Sequence, residues 1–184
     1  MTALVFVDTN VLVYARDPRD PLKRSIASEW VRLLWNEERG RTSIQVLNEY
    51  YDVLTRKCRA SFRHDDVWDD VQQYLSAWKP QSLDAELLRC AREIEMRHRL
   101  SWWDSLVVAA AQFQHCALLL SEDMQDGAIY GGVTVRSPFT LRIAEEAGAY
   151  TLPPRLPSRH RGRGRPRRNV TQDAGSRGAR SGSE

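Results

Sequence analysis

The chain has 184 residues, 42% hydrophobic and 28% charged, with six tryptophans and a net charge of +3; it is long enough and apolar enough to close one core. No apolar run approaches the roughly 18 residues a membrane helix needs, and Asp8 interrupts the N-terminal apolar stretch too early for a signal peptide, so the expectation is a cytoplasmic protein without membrane contact. Cys58, Cys90 and Cys116 form no C-x-x-C pair and the four histidines share no helix-face spacing, which sets aside a disulfide framework, a thiolate zinc site and a histidine metal site.

Residues 3–7 (ALVFV) are continuously apolar and rich in β-branched side chains, as in a central parallel strand buried on both faces. Helices are expected at 22–36 and 44–57. A further one falls at 64–78, where Val67, Trp68, Val71, Tyr74, Leu75 and Trp78 share a face. The spacing of Leu87, Leu88, Ala91 and Ile94 predicts another over 84–98, and 102–115 continues the series. Short strands are expected near 41–43, 79–82, 117–120 and 133–136. This alternation predicts an α/β fold whose parallel sheet is covered on both sides.

After about Leu152 the chain turns to Pro, Gly, Ser and Arg with almost no apolar residue, a composition that cannot offset its ordering entropy by burial. The organisation expected is a folded domain over 1–150 and a disordered basic tail over 151–184. The charge divides in the same way. From Arg155 onward there are nine arginines and two acids, so that segment carries +7 and residues 1–154 carry −4.

Four acidic positions stand out. Asp8 follows the first strand, where ligands gather at the carboxyl end of an α/β sheet; it also suits a helix N-cap, and one residue can serve as both. Glu49, in "VLNEYY", falls at the border between the apolar stripe of its helix and a polar arc holding Gln45, Asn48 and Asp52. Asp104, in "SWWDSLVVAAA", occupies the third helical position after Ser101, where an acid meets the helix dipole favourably. It is nonetheless held among apolar neighbours, where an unneeded charge is costly. In "LLLSEDMQDG" a second apolar strand ends in Ser121, Glu122, Asp123 and Asp126, although turns are commonly rich in Asp. Clustered carboxylates repel unless protons or cations neutralise them, and an oxygen-rich cluster suits Mg²⁺ or Mn²⁺ better than zinc.

The order of "VFVDTN", a helical Glu49, "SWWDSLVVAAA" and "LLSEDMQDG" resembles the PIN-domain ribonucleases, specifically the VapC-type toxins of toxin–antitoxin pairs, over about residues 3–145. The resemblance implies a three-layer α/β/α sandwich with a short central parallel sheet. It implies a metal-dependent endoribonuclease with Asp8, Glu49, Asp104 and Asp123 as catalytic acids, of which Asp8, Asp104 and Asp123 hold Mg²⁺ or Mn²⁺. Thr9, Asn10 and Ser121 match the small polar residues beside those acids, and Asp126 is expected to support them from behind. A VapB-like antitoxin and a homodimer are implied partners.

A body of charge −4 has no global attraction for RNA, so binding must rest on local basic groups. Lys23, Arg24, Arg56 and Lys57 are candidates, alongside Arg59 and Arg63, although solvated faces near helix ends look the same in a sequence. In the tail, "RGRP" around Arg163 and Arg165 resembles the core of an AT-hook, whose arginines enter the narrow minor groove of A·T-rich DNA. Two other functions compete. A noncatalytic nucleic-acid-binding protein on the same scaffold would draw its affinity from this tail. A phosphatase with Asp8 as nucleophile usually has a second acid two residues later, where this chain has Asn10.

Overall fold

The structure, a computed structural model, describes residues 3–58 and 61–141. The basic tail, with Arg163 and Arg165, and Arg59 lie outside the described residues. Strand β1 (Val5–Val7) leads directly into α1 (Thr9–Arg16), then α2 (Pro21–Asn36) and β2 (Gly40–Arg41). Helix α3 (Ile44–Asp52) runs on into a π-helical segment, Val53–Lys57, before α4 (His64–Ala77), α5 (Ala85–His98) and α6 (Trp102–Phe113). The chain closes with β3 (Leu118–Leu120), β4 (Ile129–Tyr130) and β5 (Val133–Arg136).

The five strands lie in the order β2-β1-β3-β5-β4. Strand β1 pairs in parallel with β2 and β3, with Val5 opposite both Gly40 and Leu118. Strand β3 pairs in parallel with β5, and β4 turns back antiparallel on β5. That last hairpin turns through Gly131 and Gly132, whose φ values of 56° and 91° are those of a two-residue loop requiring positive φ at both positions. Val5, Phe6 and Val7 are all fully buried although neighbouring side chains face opposite sides, so both faces of the sheet are covered at β1. Helix α6 packs on β3 and β5, and α2 on β2, completing the layered α/β architecture that the sequence implies.

The helices begin where their caps place them. Asp20 caps α2 by accepting from the Lys23 backbone at 3.0 Å, with Pro21 at the first position, where no amide bond is lost. Ser43 caps α3 and Asp84 caps α5 in the same way. Helix α5 ends at Arg99, whose φ of 56° stops it in a left-handed turn.

Two departures from the sequence reading are informative. Helix α1 was not expected, because Val11, Leu12 and Val13 are all buried and leave no one-sided stripe. The strand expected at 79–82 reduces to a single bridge, Ser43 to Gln81; Pro80 has no amide to extend the pairing. Beside that bridge, Trp78 lies fully buried against Gly40, where a Cβ would come within 2.4 Å of the indole. No helix among the described residues is long and apolar enough to cross a membrane.

Candidate active site

The site is built outward from the end of β1. The Asp8 backbone amide donates to the Leu120 carbonyl at 3.0 Å, which locks the carboxyl ends of β1 and β3 together. The Asp8 side chain is only 8% exposed. Its Oδ1 accepts from the Thr9 amide at 2.7 Å, making Asp8 the cap of α1, while its Oδ2 accepts from Ser121 Oγ at 2.8 Å and Asn10 Nδ2 at 2.9 Å. Asn10 also donates to Ser121 Oγ and accepts from the Glu122 amide, so it ties α1 to the loop after β3. The N-cap and the strand-end position are thus the same fact.

Burial pushes the Asp8 carboxyl up to about 6, despite the stabilising hydrogen bonds from Ser121 and Thr9. The negative charges of Asp123 and Glu49 push in the same direction. This corner is therefore short of positive charge.

Asp8, Thr9, Asn10, Gln45, Glu49, Trp103, Asp104, Val107 and Asp123 line one open cleft of about 320 Å³. Glu49 is held by Gln45 Nε2 at 3.0 Å, one turn back on α3, and by Thr9 Oγ1 at 3.2 Å across from α1. Asp104 accepts from Ser101 Oγ at 2.7 Å while its own amide donates to the same oxygen, a reciprocal cap at the start of α6. Asp123 is exposed and accepts no hydrogen bond among the described residues.

All four predicted acids, with Thr9 and Asn10, thus meet at one cleft, and Ser121 supports Asp8 from behind. Asp126 does not join them. Its carboxylate faces the end of β5 and the segment after it, accepting from Arg136 Nε, the Ser137 amide and Thr140 Oγ1. Gln45, Trp103 and Val107 are lining residues that the sequence reading did not place in the site. The spacing of Trp103, Asp104 and Val107 on one helix face was the available signal.

Among the described residues, none that lines the cleft is basic. Lys23 is paired with Glu122, donates to Tyr14 Oη at 3.2 Å and lies over the Tyr14 and Phe139 rings, so its charge is largely spent within the fold. Arg56 pairs with Asp52 on the helix surface, and Arg63 with Asp65. Arg24 and Lys57 are exposed.

The donor set is oxygen only and carries excess negative charge, which fits a hard divalent cation in chemistry and in charge balance. Among the described residues, no three acidic, histidine or cysteine side chains already stand around one point as a closed set. Asp123, free of hydrogen bonds, and the unshared lone pairs of Asp104 and Glu49 are the groups available to complete one.

The PIN domain family pattern matches residues 5–125, and the chain belongs to this family. No curated protein sequence matches the chain at a significant level. Among solved structures, VapC20 of Mycobacterium tuberculosis, a toxin that cleaves the sarcin–ricin loop, is similar with 21% identity and a TM-score of 0.50 over 62% of this chain and 86% of that one. VapBC2 from Rickettsia felis, bound to a DNA fragment from its promoter, is similar with 15% identity and a TM-score of 0.52, over 73% of this chain and 98% of that one. At these identities the likeness is one of fold.

Proposed function

We propose that this protein is a divalent-metal-dependent endoribonuclease, the VapC-type toxin of a type II toxin–antitoxin pair, with residues 1–150 as the nuclease and 151–184 as an accessory basic tail. One observation carries the reading. Acids from the ends of β1 and β3 and from α3 and α6 face one cleft around a buried, over-determined Asp8.

In this reading Asp8, Asp104 and Asp123 hold Mg²⁺ or Mn²⁺. When bound, such an ion supplies a water of lowered pKa and neutralises charge on the phosphate under attack. Ser121, Asn10 and the Thr9 amide fix Asp8 in one orientation, so that it meets a cation without first rearranging. Thr9 and Gln45 likewise aim Glu49 at the same space, where it orients the attacking water. Membership of the PIN family supports nuclease chemistry. The RNA-cleaving neighbour supports RNA as the substrate class, and the VapBC neighbour supports a VapB-like antitoxin as partner. A homodimer belongs to the same proposal, as do RNA contacts by Arg24 and Lys57 and nucleic-acid contacts by Arg163 and Arg165.

The test is incubation of purified protein and its Asp8→Asn variant with a mixture of structured RNAs in Mg²⁺, Mn²⁺ or EDTA. Cleavage that needs the cation and Asp8 is expected. Tight RNA binding without cleavage in any divalent ion, from folded protein free of antitoxin, would instead identify a noncatalytic binding protein.

A further inference from the structure

We infer that Trp103 is a base-stacking residue, the platform on which a base beside the phosphate to be cut lies flat. The inference rests on the nuclease reading above and adds to it a side chain that touches the substrate.

Trp103 is 60% exposed, whereas Trp30 and Trp78 are fully buried in the core. It lines the cleft directly beside Asp104, with Val107 one turn further along the same face of α6. Trp68, the other well-exposed tryptophan, has Tyr51 edge-on against its ring, but Trp103 packs on no aromatic ring among the described residues. A large flat apolar surface is therefore left open to solvent at the place where substrate must lie.

The charge of the cleft says what this surface is for. Among the described residues four acids and no lysine or arginine line it, so these walls repel an RNA backbone, and a bound cation can offset that repulsion only at the phosphate it contacts. Within the cleft the rest of the nucleotide is best held by a contact indifferent to charge, whatever Arg24 and Lys57 add further along the strand. Stacking on an indole is such a contact; every base offers a π-face, and loss of one aromatic platform weakens binding about 5- to 150-fold. A duplex cannot use it, because its bases are already stacked and its readable groove shows edges and 2′-hydroxyls rather than faces.

The experiment uses full-length protein carrying Asp8→Asn, so that RNA is bound and not cut, with Trp103 kept or replaced by Ala or Phe. The probe is a short unstacked oligouridylate with 2-aminopurine at successive positions, compared with the same strand annealed to its complement. Trp103→Ala is expected to weaken binding of the free strand about 5- to 150-fold, with Trp103→Phe restoring most of it. One 2-aminopurine position should be quenched with Trp or Phe and bright with Ala, and duplex affinity should be the same for all three. Unchanged melting temperatures establish that the variants are folded, as expected for a side chain this exposed.

Equal free-strand affinity for the Ala and Trp forms would overturn the inference. So would an Ala variant that keeps its RNA affinity but loses a copurifying protein, which would make this face a protein contact. Cleavage by the protein with Asp8 intact is measured alongside. If it is absent, the nuclease reading fails, and the binding data alone still decide whether Trp103 stacks a base.

Discussion

The inner corner of the cleft and its rim hold their acids in opposite ways. Asp8 is nearly inaccessible and takes three hydrogen bonds from its own helix and the neighbouring strand end. Among the described residues Asp123 is exposed and has no hydrogen-bond partner, and Asp104 is tied only to the serine three residues before it. The corner is expensive to build. Burial there works against ionisation, so the fold carries an electrostatic cost that only a proton or a cation removes. The rim costs little and can adjust. One rigid ligand and several compliant ones let a site fix a cation's position while its coordination shell changes during a reaction.

The sharpest way to break this contrast is Asp8→Asn, which keeps the shape and removes the charge. Activity should fall by at least about 100-fold, the upper end of what loss of an outer-shell partner costs a metal site. The metal-free variant should also lose a pH dependence of stability, whatever its absolute melting temperature, which carries the cost of an Asn amide nitrogen that must face the Thr9 or Asn10 N–H. The Asp8 carboxyl lies at about 6 rather than 3.8, so between those values the folded protein keeps a proton that the unfolded chain releases. The stability of metal-free protein therefore falls as pH rises through that window and is flat above it, by about 3 kcal/mol in all. Thermal melts from pH 4 to pH 8 should show that slope in the natural chain and lose it in the variant.

Adding Mn²⁺ or Mg²⁺ at pH 7 should raise the melting temperature of the natural chain, by about 2.7 kcal/mol of stability at a hundredfold excess over the dissociation constant. The rise should be much smaller in Asp8→Asn. An equal rise in both would place the cation away from the corner.

At the rim, Asp104→Asn and Asp123→Asn should lower activity by about 10- to 100-fold and leave metal-free melting nearly unchanged. Loss of the pH slope in either rim variant, as in Asp8→Asn, would erase the distinction between corner and rim.

The smallest effect is expected from Asp126→Ala. It should cost about 1 kcal/mol of stability, because its hydrogen bonds sit on an exposed turn, and leave catalysis intact. Denaturant melts and cleavage rates measured together would show this separation.

Much of this arrangement was legible in the sequence, for physical reasons. A helix that buries one face writes that face as a stripe, and α4 and α5 lie within a residue of where Val67–Tyr74 and Leu87–Ile94 place them. Acids at strand ends and caps declare themselves by what precedes them, which is why Asp8 and Asp104 could be named. Three features were hidden. Helix α1 is buried nearly all round its N-terminal half, so its pattern reads as an apolar run rather than a helix face. Lys23 meets Glu122 only because α2 and the loop after β3 pack together, a contact across 99 positions that no local spacing encodes. Asp126 shares its loop with Asp123 but points the other way, since the last residue of β5 and the segment after it supply three donors to it.

The indole of Trp78 lying against Gly40 has a consequence for how this chain can change over time. A methyl group at position 40 would overlap the ring, and the ring is walled in by Trp35 and Tyr74 and cannot step aside alone. A side chain at position 40 therefore displaces the indole and its neighbours while Trp78 stays, and is accommodated without that shift once residue 78 has become smaller. The two sites form a ratchet: a lineage that first gives up the aromatic and accepts a cavity can then add a side chain to the strand, and the reverse order is strained at its first step.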